Sequence, residues 1–212
     1  MRELTVAVVQ LAVKFNDVEA NLVAMSEWIH RIATEQKVDL IVFPELCTTG
    51  YECGVKFTQL AQRVPGPSTN VMAQRANEQG LHIAFGIASK ERVESILFNS
   101  AVLVGPEGDV VAQYRKIHLK GEEQMLFRPG FRLEAAETAA GVIGLQLGWD
   151  MFFPEGTRSL CLDGAELIIG LDKGEGRLHL SLPGRVFAER RSFGQLALSV
   201  ELQQVAREFG GR

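Results

Sequence analysis

The chain has 212 residues, 46% of them hydrophobic and 23% charged, with a formal net charge of -4 and a sequence pI near 5.7. That length suits one domain spanning residues 1–212, burying roughly 70% of the surface its unfolded form exposes. The mild acidity excludes a general electrostatic grip on nucleic acid or anionic lipid, and no apolar run approaches the roughly 20 residues that a bilayer span needs.

In chain order, Leu4 to Val9 is Val-dense and bounded by polar residues, the mark of a strand buried on both faces. It is too short, and lacks the small-residue cleavage site, to read as a signal peptide. Asn21 to Glu35 follows at helical spacing, with Leu22, Met25, Ile29 and Ile32 expected to face the sheet. Leu40 to Phe43 is a second buried strand that stops at Pro44, and Pro65 to Gly80 holds a helix with a proline-led start and a glycine stop. Leu81 to Ile87 and Ser100 to Val104 read as strands, and a turn over residues 105–109 makes a hairpin with Val110 to Tyr114. Val142 to Leu147 is a strand, Pro154 to Asp163 a helix, and Glu166 to Gly170 a strand. Beyond Leu171 the pattern weakens to a loop over residues 172–177, a short helix over Pro183 to Arg191 and a mixed tail. Helices interleaved with apolar strands, plus one hairpin, imply an α/β fold with a mixed, helix-covered sheet.

The cysteines, Cys47, Cys53 and Cys161, are odd in number, which fits free thiols in a reducing compartment and hence a cytoplasmic protein. Cys47, two residues past Glu45, can lie near a pocket there, but a strand-end neighbour is not expected to replace a nucleophile at an elbow; Cys161 is expected in the core and Cys53 in a loop. The histidines and cysteines show no ligand spacing, so no metal is expected, and no cofactor motif is present.

Chemistry can sit in three places. Glu45, in Phe43-Pro44-Glu45-Leu46, lies just past a buried strand, where open α/β sheets place ligands; desolvation there would suit it to general-base work, and the plainer reading is a surface carboxylate. In Tyr114-Arg115-Lys116-Ile117-His118, Lys116 can stabilise an oxyanion, or the stretch is a solvated basic loop; His118 is expected to make a structural hydrogen bond. Gly148-Trp149-Asp150 ends a strand that turns sharply into a helix, the setting of a nucleophile elbow, or simply of a tight turn.

In this order and spacing the segments resemble the nitrilase superfamily of carbon-nitrogen hydrolases, from about residue 4 to about residue 169. The resemblance implies an αββα sandwich of two mixed sheets flanked by helices. It implies Glu45 as general base, Lys116 as oxyanion stabiliser, and Glu123, six residues ahead of Pro129-Gly130, as the carboxylate that orients lysine and substrate. Tyr51 and Trp149 are the expected substrate contacts. The family's nucleophile is a cysteine ahead of an aromatic-Asp pair, and here that position is Gly148, aligned by Trp149-Asp150, Phe153-Pro154-Glu155 and Arg158. After residue 169 the resemblance weakens to Phe187-Ala188-Glu189-Arg190 and the strand-like Leu196 to Val200, and the family's last strands and C-terminal arm are expected to be missing.

Three functions follow. One is a hydrolase of small non-peptide amides, and less so of nitriles, that has lost its nucleophile and is inactive or severely impaired. The second is a pseudoenzyme acting as a ligand-binding or scaffold subunit. The third is a structural domain without a pocket. The expected partners are a small amide or nitrile, or an analogue, and a second copy in a homodimer.

Overall fold

The structure is a computed structural model and describes residues 2–91, 96–172, 179–182, 185–186 and 195–202. In chain order its elements are β1 (Arg2–Val9), α1 (Val18–Glu35), β2 (Leu40–Val42), α2 (Phe57–Leu60), α3 (Pro67–Gln79), β3 (His82–Lys90), β4 (Leu97–Val104) and β5 (Val110–Arg115). There follow α4 (Glu123–Leu126), β6 (Ala136–Thr138), β7 (Gly141–Leu147), α5 (Pro154–Leu162), β8 (Leu167–Leu171), β9 (His179–Leu182), β10 (Arg185–Val186) and β11 (Gln195–Leu202).

Two mixed sheets result, one of six strands in the order β11-β1-β2-β3-β4-β5 and one of five in the order β10-β9-β8-β7-β6. β1, β2 and β3 are parallel neighbours, a pairing that requires long crossovers, and α1 and α3 supply them. β4 and β5 then pair antiparallel through a tight turn that puts Gly108 at φ +80°. In the second sheet α5 makes the crossover between parallel β7 and β8.

The alternation of side chains along β1 sets the layers. Leu4, Val6 and Val8, with Leu40, Val42 and Leu103, meet Leu145, Leu147, Leu167 and Ile169 between the sheets. Ala7 and Val9, with Ile41, Phe43, Ile83 and Phe85, face Met25, Ile29, Ile32, Met72 and Ala76 of α1 and α3. Leu160 of α5 packs on Ala165 and Ile168 outside the second sheet. The architecture is therefore helix, sheet, sheet, helix. Each wholly buried Leu, Ile or Phe in these layers contributes about 1.5–3 kcal/mol.

Several boundaries differ from the expectation. α1 starts earlier, at Val18, because the Asp17 side chain accepts the Ala20 N–H and caps it. Asn21, not Leu22, is the buried residue of its first turns: Asn21 Nδ2 donates to the Lys14 and Thr48 carbonyls, while Leu22 is only half-buried. Of the helix expected over Pro183 to Arg191, residues 185–186 are instead β10, paired antiparallel with β9, and the rest lies outside the described residues. β9 was not legible in the sequence, while β11 covers the expected strand at Leu196 to Val200 and joins β1 antiparallel. Nearly all of the expected loop over 172–177 lies outside the described residues. Among the described residues no helix is long and apolar enough to cross a membrane.

Candidate active site

Glu45 follows the C-terminal end of β2. There Phe43 N donates to Ala84 O, Gly86 N to Pro44 O at 3.1 Å, and Glu45 N to Asp172 O at 3.2 Å, so the turn is held by both sheets. β3 allows this because residue 86 is glycine: a Cβ on Gly86 would lie 2.3 Å from Leu46 N. The Glu45 residue is only 3% exposed.

Lys116 follows β5, pinned by its own N–H to Asn99 O (2.9 Å) and by Gly130 N to its carbonyl (2.8 Å). Its side chain is buried, and Nζ donates to Glu45 Oε1 at 2.7 Å and to Glu123 Oε1 and Oε2 at 2.8 and 3.0 Å. Glu123 opens α4 and is itself tied down by the Lys120 N–H to Oε2. Asn99, on β4 and without exposed surface, donates from Nδ2 to the same two atoms: Glu45 Oε1 at 2.7 Å and Glu123 Oε1 at 2.9 Å.

Gly148 ends β7 and begins a 3₁₀ turn over Gly148–Phe152, with φ +41°, a conformation that L side chains enter only under strain. A Cβ built on it would lie 2.8 Å from Glu45 Oε2, 3.0 Å from Lys116 Nζ and 3.4 Å from Asp172 Oδ1. The turn is clamped to the lysine segment through buried Asp150. That carboxylate accepts from Tyr114 Oη at 2.6 Å and His118 N at 2.7 Å, and meets His118 Nδ1 at 2.8 Å. The His118 ring also stacks on Phe153, centroids 3.7 Å apart. His118 thus has the structural role expected of it.

Burial pushes the Glu45 carboxyl up to about 7, against the opposing pull of Lys116. For Lys116, desolvation is the largest single effect and favours the neutral amine, but the charges of Glu45 and Glu123 outweigh it and hold the ammonium more firmly than usual. The site therefore combines a carboxyl poised near neutrality with a fixed cation. Of the three Lys116 N–H groups, one goes to Glu45 and one can be shared by the two oxygens of Glu123, which leaves a third for the pocket.

Above these groups opens a cavity of about 880 Å³. Glu45, Lys116, Glu123, Gly148, Trp149 and Tyr51, the six residues singled out from the sequence, all line it. Tyr51 hydrogen-bonds Glu123, and Lys120 Nζ sits 3.9 Å over the Trp149 ring at the rim. Phe57, Leu126 and Phe127 make an apolar wall.

The plainer readings of Glu45 and Lys116, as surface groups, do not hold. Cys47 is no substitute nucleophile, as expected: its Sγ lies by Met25 Sδ and Gly86 O on the helix side of the sheet, away from the pocket, and burial pushes its thiol up to about 12. Cys161 is half-buried and packs against the Leu160, Ala165 and Ile168 cluster, in line with the expected core placement, and Cys53 is buried. All three cysteines are free. Asn99 was missed, although the polar pair Asn99-Ser100 inside an apolar run of β4 was an available signal; Asp172 lies in the segment after residue 169, where the resemblance weakens, and was not singled out.

A family model described as carbon-nitrogen hydrolase matches residues 5–201. A probable nitrilase of Schizosaccharomyces pombe is 38% identical over 167 residues, covering 77% of this chain and 61% of its own length. An (R)-stereoselective amidase of Pseudomonas sp. is 34% identical, covering 78% of this chain and 59% of its own. The chain thus spans about three fifths of the length of these curated relatives. Nit3 of Saccharomyces cerevisiae, described as a member of branch 10 of the nitrilase superfamily, superposes with a TM-score of 0.82 at 20% identity, covering 93% of this chain and 89% of that one, which is likeness of fold.

Proposed function

This chain belongs to the carbon-nitrogen hydrolase family, and we propose that it carries that family's amide-cleaving site with glycine in place of the nucleophile. The observation that carries this reading is the direction in which a side chain would leave Gly148, straight between Glu45 Oε2 and Lys116 Nζ. A thiol placed there would be deprotonated by Glu45 and would attack a carbonyl carbon whose developing oxyanion meets the remaining Lys116 N–H. Glu45, then protonated, would return its proton to the departing amine, and a second turn of the same base would deliver water to the thioester. Its pKa of about 7 suits both directions.

In this chain no thioester forms. Removing the nucleophile of a hydrolase that works through an acyl-enzyme lowers turnover by about six orders of magnitude. Small amides are the proposed ligands: one end of the cavity is polar and charged, and the other is the apolar wall of Phe57, Leu126 and Phe127.

The test is ammonia release from a panel of small amides by the protein and its Gly148→Cys variant. A cysteine there takes φ +41° under strain and displaces the ends of the Glu45 and Lys116 side chains by a few tenths of an ångström. The fold of the variant is therefore checked alongside its activity. Activity confined to the variant is the expected result; silence in both, with the variant folded, sinks the reading. The intact cavity favours one second reading, a ligand-binding subunit without chemistry, for which amide binding to the unaltered protein would be seen by calorimetry and the variant would remain silent.

A further inference from the structure

We propose that Asn99 is a positioning residue of this site, which fixes Oε1 of Glu45 and of Glu123 together and so presents Glu45 Oε2 as the working base. Its meaning for catalysis rests on the amide-hydrolase reading above; its effect on the carboxyls does not.

Asn99 Nδ2 and Lys116 Nζ are two donors that bridge the same two acceptors, Glu45 Oε1 and Glu123 Oε1, at 2.7–2.9 Å. The amide orientation follows from chemistry: both facing atoms are carboxylate oxygens, so the nitrogen, not the oxygen, must point at them. The arrangement occupies Glu45 Oε1 twice and leaves Oε2 as the oxygen nearest the Gly148 Cβ position. The main-chain carbonyl of residue 99 accepts the Lys116 N–H at 2.9 Å, which places the Asn99 side chain beside the root of the lysine's.

The other end of the Asn99 side chain shows that packing alone does not explain it. Oδ1 is buried with no hydrogen-bond partner, so its lost hydration is not offset. A leucine of the same shape would avoid that defect on β4. What it would lose is a neutral donor between two carboxylates that share a single cation, and a donor to an ionised carboxyl favours the ionised form. Asn99 therefore lets Glu45 ionise nearer neutral pH, and it keeps the third Lys116 N–H from being drawn down to the carboxylates.

The experiment is a pH titration of the buried carboxyl C=O stretch by difference infrared spectroscopy, on the protein and its Asn99→Leu variant, with the Glu45 band assigned by its loss in Glu45→Gln. The midpoint of Glu45 should rise by about one pH unit or more in Asn99→Leu. A midpoint unchanged within a few tenths, whatever happens to the melting temperature, overturns the proposal. Should the leucine variant not fold, Asn99→Ala removes the donor without branching and is read in the same way. In the Gly148→Cys background, adding Asn99→Leu should lower kcat at least tenfold with KM little changed, and should move the acid limb of the pH profile upward; a rise in KM alone would contradict it. If Gly148→Cys is inactive the disarmed-amidase reading fails, and the infrared midpoint still decides the role of Asn99.

Discussion

A Cβ on Gly86 would lie 2.6 Å from the Cα of Glu45, so the third strand and the turn that carries the base touch backbone to backbone. Neither side can give, because the contact involves main chain rather than side-chain ends. Gly86→Ala should therefore displace the turn, destabilise the fold by about 2–4 kcal/mol as overpacking in a tight core does, and abolish amidase activity in the Gly148→Cys background. Urea unfolding gives the first quantity. An alanine variant with unchanged stability and activity would show that the turn has slack.

Lys116 is ion-paired with both Glu45 and Glu123, and Asp172 lines the same pocket. Lys116→Met keeps the length of the side chain but leaves two carboxyls without their counter-charge. Breaking a buried pair from one side costs about 3–5 kcal/mol, which for a chain of this size lowers the Tm by roughly 10 °C. The loss should shrink below pH 7, where Glu45 is protonated; calorimetry at two pH values checks both statements.

Because Glu45 holds its proton up to about pH 7 in the folded protein, against an ordinary value of 4.5, folding stability depends on pH with a definite sign. Between those values the unfolded chain has released the proton and the folded one has not, so stability falls as pH rises toward 7 and levels off above it. The full window is worth about 3 kcal/mol at about 1.4 kcal/mol per unit. Glu45→Gln should remove that slope. Parallel slopes for the protein and the variant between pH 4.5 and 7.5 would show that Glu45 is ionised throughout.

Asp150 receives the Tyr114 hydroxyl and the His118 backbone N–H, and so joins the turn at Gly148 to the segment that carries Lys116. Asp150→Asn preserves shape but turns an amide N–H toward donors. It should cost about 1–3 kcal/mol and, in the Gly148→Cys background, lower kcat more than it raises KM, since the clamp aligns reacting groups rather than binding ligand. Chemical denaturation with an unchanged m-value, together with steady-state kinetics, distinguishes these effects.

Much of the fold was legible because its periodicities are strong. β1, β2 and β7 are runs of Val, Ile and Leu with turn residues at their ends, and α3 is bracketed by Pro67 and the left-handed Gly80. The start of α1 was missed because its signal is a cap, Asp17, outside the apolar pattern. β9 and β10 were missed because four- and two-residue strands show too few alternations to stand out. At the site, Glu45, Lys116 and Glu123 were found through their motifs, and the place of Glu45 past a buried strand pointed to its desolvation. The burial of Lys116 was not legible, because nothing local says that a basic residue at a strand end will be covered by the opposite sheet. Asn99 and Asp172 reach the pocket through pairing alone, which a linear sequence does not display.

The hydrogen bond from Glu45 N to Asp172 O ties the turn that carries Glu45 in the first sheet to the end of the second sheet, across more than half the chain. Glu45 and Lys116 themselves are 71 positions apart. Contacts of such separation must overcome loop-closure entropy before anything rewards them, so they are expected to form late. During synthesis β1 to β5 can therefore emerge and pair while the pocket is still open on one side and β11 has yet to join β1. A ligand for this pocket would accordingly act on folding at its final step only, holding the two docked sheets together rather than guiding either one into shape.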